Sequence, residues 1–341
     1  MKKLSFFDKL VYWANILFAF ILLLSFLGYY VSVSSIPFFS VLSLLVPILI
    51  IAHLCFVLYW GLRRKRYFFW SLLLLVISYL VYGSLFILNS NEVDFDEDGI
   101  KVLSYNVHKF NRFKWIDQPG VGDSIISFIK EESPDVLCLQ EHSRIWHRKL
   151  TMYPYRYETP VKIDQTIQVI FSKYPMVNKG SLNFPDTPNN CIYADIAYKN
   201  DTIRVYNIHL QSLRIKPTVD GVTKESSEKL YNRLTSSFIK QEEQAKIFVE
   251  HAKTSDYKKI VCGDFNNTQF SNVYRRMKGD MTDSFLEKGN GFGRSFNFIN
   301  YPLRIDYILA DDDFTILSHT NFNTVLSDHF PVMATLKLPS H

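Results

Sequence analysis

What the chain lacks divides it in two. Its first ninety residues hold one acid, Asp8, against Lys2, Lys3, Lys9, Arg63, Arg64, Lys65 and Arg66, a balance of +6. The remaining 251 residues keep 31 of the 38 basic residues and 32 of the 33 acids, a balance of −1. The second part therefore shows no basic footprint for tight nucleic-acid binding. Cysteine is scarce: Cys55, Cys138, Cys191 and Cys262 have no metal-type spacing, and no essential disulfide is expected. Neither internal repeats nor low-complexity segments occur.

Charge is also missing from three long apolar runs, residues 11–31, 37–60 and 67–89, none of which contains Asp, Glu, Lys or Arg. Each is close to the ~20 apolar residues that a helix needs to cross a bilayer. Tyr and Trp gather near their ends, as interfacial anchors do. Buried helices of a soluble protein would rarely come three in a row with so few charges. A cleaved signal peptide would explain only the first run, and no small-residue cleavage pattern follows it. Residues 1–90 thus read as a membrane region with three transmembrane helices. Placing both basic clusters in the cytoplasm puts the N-terminus inside and everything after the third run outside. His53 and Pro47 lie in the second run, where His53 reads as a helix–helix contact. An acidic linker, 91–98, leads into a domain spanning 99–341.

That domain has a different texture. Short apolar runs suited to strands cover 101–106, 135–140, 167–172, 191–198, 202–210, 259–264, 304–310 and 331–338. Several are apolar throughout, which fits sheets covered on both faces. Helical spacing appears over 121–131 and 236–252, and the polar stretch 216–229 reads as a loop or helix start. The order indicates a mixed α/β domain.

Polar residues then recur at strand ends: Asn106, Glu141, His209, Asp264 with Asn266, Asp306, and Asp328-His329. Singly, most could be turn or cap residues. Asp306 is the exception, because a carboxylate inside an apolar run must be paired. Together, the pieces LSYNV, VLCLQE, FSKYP, YNIHL, CGDFNNT, RIDYIL and SDHFPV run in the order of a known family. Residues 100–336 resemble the endonuclease/exonuclease/phosphatase superfamily, which includes deoxyribonuclease I-like enzymes, inositol-polyphosphate 5-phosphatases and sphingomyelinase-type phosphodiesterases. The resemblance implies a four-layer α/β/β/α sandwich of two mixed sheets, with the site at one edge. Lys173 stands in FSKYP where many relatives have Arg. His209 in YNIHL departs from the Tyr-containing motif typical of the superfamily's abasic-site endonucleases.

The implied activity is metal-dependent hydrolysis of phosphate esters. Glu141, Asn106 and Asp328 would hold Mg²⁺, with Mn²⁺ as a substitute, since hard cations take oxygen ligands. Asp264 would orient the attacking water or take its proton, and Asn266 would face the phosphate or that water. His329 is the second candidate base, with Asp306 holding its ring. His209 would donate to a phosphate oxygen. The expected partners are a lipid bilayer and a phosphate ester, either nucleic acid or lipid headgroup. The alternatives are a sphingomyelinase-like phospholipid phosphodiesterase and a catalytically silent binding module. A transporter is disfavoured, because the apolar runs carry no acid or base to line a path.

Overall fold

The structure, a computed structural model, describes residues 4–89, 99–160, 166–214, 226–298 and 301–339. Lys2, Lys3, the acidic linker 91–98 and most of the polar stretch 216–229 lie outside the described residues. The chain divides into two compact units. One comprises Met1–Leu85, Ser227–Glu242 and Thr268–Arg275, and the other Phe86–Ser226, Glu243–Asn267 and Arg276–His341.

In the first unit the three apolar runs fold into four helices: α1 (Phe6–Tyr30), α2 (Pro37–Leu42), α3 (Val46–Leu62) and α4 (Phe68–Tyr82). A 3₁₀ turn at Ser43–Leu45 joins α2 to α3, so Pro37–Leu62 forms one apolar stretch of 26 residues. The expectation of three transmembrane helices needs correction. Two helical stretches are long and apolar enough to cross a membrane, Phe6–Tyr30 and Pro37–Leu62. The third run yields 15 helical residues, about 22 Å of helix against a ~30 Å hydrocarbon core. It stops because Gly83 takes φ +80 at its C-terminal end, a conformation that glycine adopts without a steric penalty.

Ser5 and Asp8 form a capping box at the start of α1. Asp8 also receives Arg63 through Nε (3.1 Å) and Nη2 (2.8 Å), together with the Tyr59 hydroxyl (2.7 Å). Deeper in the helices, Ser71 Oγ donates to Asn15 Oδ1 (3.1 Å) and lies 3.3 Å from His53 Nδ1. His53 thus does join helices, α3 to α4. Leu22, Phe26, Tyr29, Leu49, Leu74 and Tyr82 form the unit's apolar core. Much of the apolar surface stays outside that core: Trp13, Leu17, Phe20, Leu23 and Leu27 are all exposed along α1.

The second unit is built on two six-stranded mixed sheets. The first has the order β13-β14-β1-β2-β4-β3. Its strands are β1 (Ile100–Asn106), β2 (Val136–Gln140), β3 (Tyr155–Glu158), β4 (Val169–Ser172), β13 (Thr315–Asn321) and β14 (Val332–Lys337). The second has the order β5-β6-β7-β8-β12-β9. It contains β5 (Met176–Ser181), β6 (Asn190–Tyr198), β7 (Asp201–His209), β8 (Lys258–Asp264), β9 (Thr282–Asp283) and β12 (Asp306–Ala310). Val102, Val136, Cys138 and Ile170 of the first sheet share one core with Ile192, Val205, Cys262 and Ile308 of the second. The two sheets therefore pack face to face. The other face of the first sheet is covered by α5 (Val121–Glu132) through Ile125, Ile126 and Ile129. On the second sheet Tyr206 packs against Phe248 at 5.1 Å, from the later half of the helix Ser227–Ala252. Strands buried on both faces account for the continuous apolar runs. A hairpin of β10 (Phe296–Phe298) and β11 (Tyr301–Leu303) stands apart from both sheets.

Candidate active site

Two parallel strand pairs deliver polar residues to matched ends. β1 and β2 pair with Asn106 beside Gln140, one residue before Glu141. β7 and β8 pair with His209 beside Asp264, and β12 runs antiparallel to β8 with Asp306 beside Asp264. Register alone thus sets three of the residues side by side.

Gly263 shows why the chain reads Gly-Asp here. It takes φ +137, and a Cβ at this position would lie 1.9 Å from the Ile208 carbonyl oxygen. Asp264 follows, 1 % exposed. Its Oδ2 accepts from Asn106 Nδ2 at 3.1 Å and lies 3.5 Å from His209 Nε2 and 3.6 Å from His329 Nε2. Its Oδ1 accepts the Asn266 backbone N–H at 2.8 Å. Two N–H donors, from the Asn106 amide and the Asn266 backbone, and one ring nitrogen each of His209 and His329 thus converge on one buried carboxylate.

His329 is turned the other way by Asp306, whose Oδ2 lies 2.8 Å from its Nδ1. Burial alone would lower the proton affinity of His329, but Asp306, Asp264 and Asp328 outweigh it and raise its pKa well above the ordinary value. Burial raises Asp306, and the imidazolium offsets that only in part. The histidine therefore holds the proton. Asp264, Asp306 and His329 offer ligand atoms within 4.8 Å of one another, as a metal cluster would. Each ring nitrogen of His329 faces one of the two carboxylates, Asp306 at 2.8 Å and Asp264 at 3.6 Å.

Of the expected metal ligands, Asn106 lies inside this network and Asp328 at its edge. Asp328 Oδ2 is 2.8 Å from His108 Nδ1, and Oδ1 accepts from Ser327 Oγ at 3.1 Å. Burial would raise the Asp328 carboxyl, but His108, His329 and Ser327 hold it below its usual value. His108 rises in turn, chiefly through Asp328 and further through Glu141. Glu141 stands apart from the Asp264 network. Among the described residues its carboxylate has no hydrogen-bond or ion-pair partner, and its φ is +50. A glutamate with an unengaged carboxylate on strained backbone is a functional-site signal. Glu141, Asp328 and Asn106, the ligands expected from the sequence, carry oxygen donors of the kind a hard divalent cation takes, and the Asn106 amide oxygen accepts the His108 N–H at 3.1 Å. Asn266, at φ +48, turns its side-chain amide to the Leu210 carbonyl at 3.1 Å.

Sequence reasoning gave two members no role. Asn207 Nδ2 donates to Leu139 O (3.0 Å) and Val169 O (2.9 Å), while its Oδ1 accepts from Gln140 Nε2 (2.7 Å). This buried bridge ties the two sheets one residue before Glu141. The available signal was Asn207 two residues before His209, on the same strand face. His108, two residues after Asn106, was visible but had no assigned role.

Residues 103–329, two thirds of the chain, match the Endonuclease/Exonuclease/phosphatase family. The chain belongs to this family. Its fold is shared with solved members. An endonuclease/exonuclease/phosphatase family protein from Bacteroides thetaiotaomicron is 20% identical, with a TM-score of 0.54, and the match covers 71% of this chain and 98% of that one. The mannosyl-6-phosphatase Bt3783 of the same organism is 20% identical with a TM-score of 0.53, covering 70% of this chain and 99% of that one. A humanized D. rerio TDP2 is 15% identical with a TM-score of 0.54, covering 70% and 99%. Family members generally hydrolyse phosphate esters and typically use divalent metals. Residues 8–85, outside that match, correspond to a domain of unknown function, DUF8431. No curated protein matches the chain.

Proposed function

We propose that this family member is a divalent-metal-dependent phosphoesterase, held at a membrane by its apolar helices with the catalytic domain on the exterior side. The observation that carries the reading is the convergence of Asn106, His209, His329 and the Asn266 N–H on Asp264. Asp264 orients the attacking water and accepts its proton, because it is the carboxylate surrounded by donors. His329, kept protonated by Asp306, donates to a phosphate oxygen. This assigns the base role to Asp264, which the sequence left shared between the two. His209 lies near enough to the same carboxylate to donate to a neighbouring phosphate oxygen. Glu141, Asn106 and Asp328 would hold Mg²⁺ or Mn²⁺, which supplies charge neutralisation at phosphorus and a more acidic water.

The exposed apolar stripe on α1 supports a membrane location, since soluble surfaces seldom leave so large a patch bare. A tethered site favours a lipid-borne ester by raising its effective concentration. The −1 balance of residues 91–341 argues in the same direction, away from duplex nucleic acid.

The test is turnover by the full chain on plasmid DNA, RNA, sphingomyelin, phosphoinositides and bis-p-nitrophenyl phosphate, each with Mg²⁺, Mn²⁺, Ca²⁺ or EDTA. Hydrolysis that disappears with EDTA supports the proposal, and hydrolysis that survives EDTA removes the metal from it. A reporter fused after residue 341 should be active only in the exterior compartment.

A further inference from the structure

The short segment 294–297 is fastened to residues of the candidate site, all within the same compact unit. Asn297 N donates to Asp328 O (2.8 Å), and Phe330 N donates to Ser295 O (2.7 Å). Phe296 and His329 form an antiparallel bridge, their rings 4.9 Å apart. Ser295 Oγ accepts the backbone N–H groups of Ile305 and Asp306, each at 2.9 Å. Arg294, which opens the segment, lies outside the motif pieces that carry the family resemblance.

Arg294 is half-buried, with its guanidinium 4.4 Å from the centre of the Phe330 ring, a cation–π contact. Its Nη2 donates to the neutral Asn297 Oδ1, and its Nε is buried without a partner. Among the described residues it meets no carboxylate. The buried arginines Arg204 and Arg304 differ, being paired with Asp195 (2.6 Å) and Asp283 (2.7 Å). The acids of the site are engaged elsewhere: Asp306 by His329, Asp264 by Asn106 and the Asn266 N–H, and Asp328 by His108 and Ser327. A charge drawn partly out of water is costly without a counter-charge. Arg294 is thus held in place by a ring and an amide and left un-neutralised.

We propose that Arg294 is a specificity-determining residue that takes a second phosphate group of the substrate, beside the one being hydrolysed. The proposal rests on the phosphoesterase reading, in which His329 donates to an oxygen of the scissile phosphate. The bridge between Phe296 and His329 makes 294–297 the neighbouring wall of that position. A guanidinium is a planar fork that matches two phosphate oxygens at once, and three of its five donors are N–H groups of the two terminal nitrogens beyond the one given to Asn297. Phe330 and Asn297 fix the fork before a ligand arrives, so little side-chain freedom is lost on binding. A phosphate monoester is close to doubly charged at neutral pH, which answers an unpaired cation better than a carboxylate does. A sugar phosphate and a lipid headgroup present the same chemistry, and the test separates them.

The test uses the full chain in lipid nanodiscs with Mn²⁺, comparing wild type with Arg294→Gln and Arg294→Lys. Two substrate pairs are read: glucose bisphosphate against glucose monophosphate, and phosphatidylinositol phosphate against phosphatidylinositol. The wild-type chain prefers the doubly phosphorylated member in kcat/KM by at least about tenfold in one pair, and that pair identifies the source. Arg294→Gln lowers this preference about ten- to a hundredfold, the range of a lost hydrogen bond to a charged group, chiefly by raising KM. Arg294→Lys restores part of it by returning the charge without the fork. A wild-type preference near one in both pairs, a preference kept in Arg294→Gln, or an equal fall on both members of a pair overturns the proposal. If the wild-type chain hydrolyses no phosphate ester, the functional reading fails. Calorimetry with methylenebisphosphonate against methylphosphonate then decides the site by itself: tighter binding of the bisphosphonate that Arg294→Gln abolishes supports it, and equal binding overturns it.

Discussion

Replacing Asp306 by Asn tests the division of labour between Asp264 and His329. The substitution keeps the size and a hydrogen-bond acceptor but removes the charge 2.8 Å from His329 Nδ1. At an effective dielectric of about 20, two unit charges at close contact attract by ~4 kcal/mol. Each pH unit is worth ~1.4 kcal/mol, so His329 should lose its proton up to about three pH units lower in the variant. The sign is fixed by the direction of the shift. A histidine raised by carboxylates is charged below its folded pKa and neutral above it. If the imidazolium is the active form, activity is present at low pH and is lost as pH rises through that value. Asp306→Asn therefore moves the alkaline limb of the kcat/KM profile toward neutral pH, with Mn²⁺ held saturating. A limb that stays in place, or a variant that gains activity at neutral pH, would show that neutral His329 is the base and refute the assignment.

Other consequences follow from the same geometry. Gly263→Ala places a Cβ 1.9 Å from the Ile208 oxygen at φ +137, which should cost at least ~3 kcal/mol and lower the melting temperature of the catalytic fold. His319 is pushed down to about 4 by burial, so it stays neutral in the fold while the unfolded chain protonates. Stability should then decline as pH falls from about 6.5 to about 4, by ~3 kcal/mol, measured by urea unfolding, and His319→Asn should flatten that slope. Glu141→Gln should weaken Mn²⁺ binding by at least about tenfold in calorimetry with little change in melting temperature, because among the described residues its carboxylate holds no partner in place.

The central strands were legible because burial on both faces leaves unbroken apolar runs. The runs expected over 101–106, 135–140 and 259–264 became Ile100–Asn106, Val136–Gln140 and Lys258–Asp264. Among the strands that escaped notice, Tyr155–Glu158, Met176–Ser181 and Thr315–Asn321 are sheet edges, and their mostly exposed or half-exposed residues carry no such run. The helix expected from residue 236 begins at Ser227. Its first part packs with the N-terminal helices, so its pattern follows a partner that local periodicity does not show. The same reason hid Gln269 and Asn272, since their partners are backbone carbonyls almost two hundred residues or more away. Lys173, a departure from the usual Arg in its motif, holds Ser133 O (2.7 Å) and Asp135 (3.2 Å) beside α5, a structural task that a lysine performs. The site strand ends were readable as a set because their order matched a family. Their pairings were not, because hydrogen-bond register is a property of the folded sheets.

The most direct measurement is phosphodiester turnover by the full-length chain with Mn²⁺, compared with Asp264→Asn. The account predicts hydrolysis that EDTA abolishes and that the substitution reduces by at least about a hundredfold, with melting temperature and Mn²⁺ affinity retained. Turnover in Asp264→Asn close to that of the wild-type chain, or hydrolysis undiminished by EDTA, would contradict it.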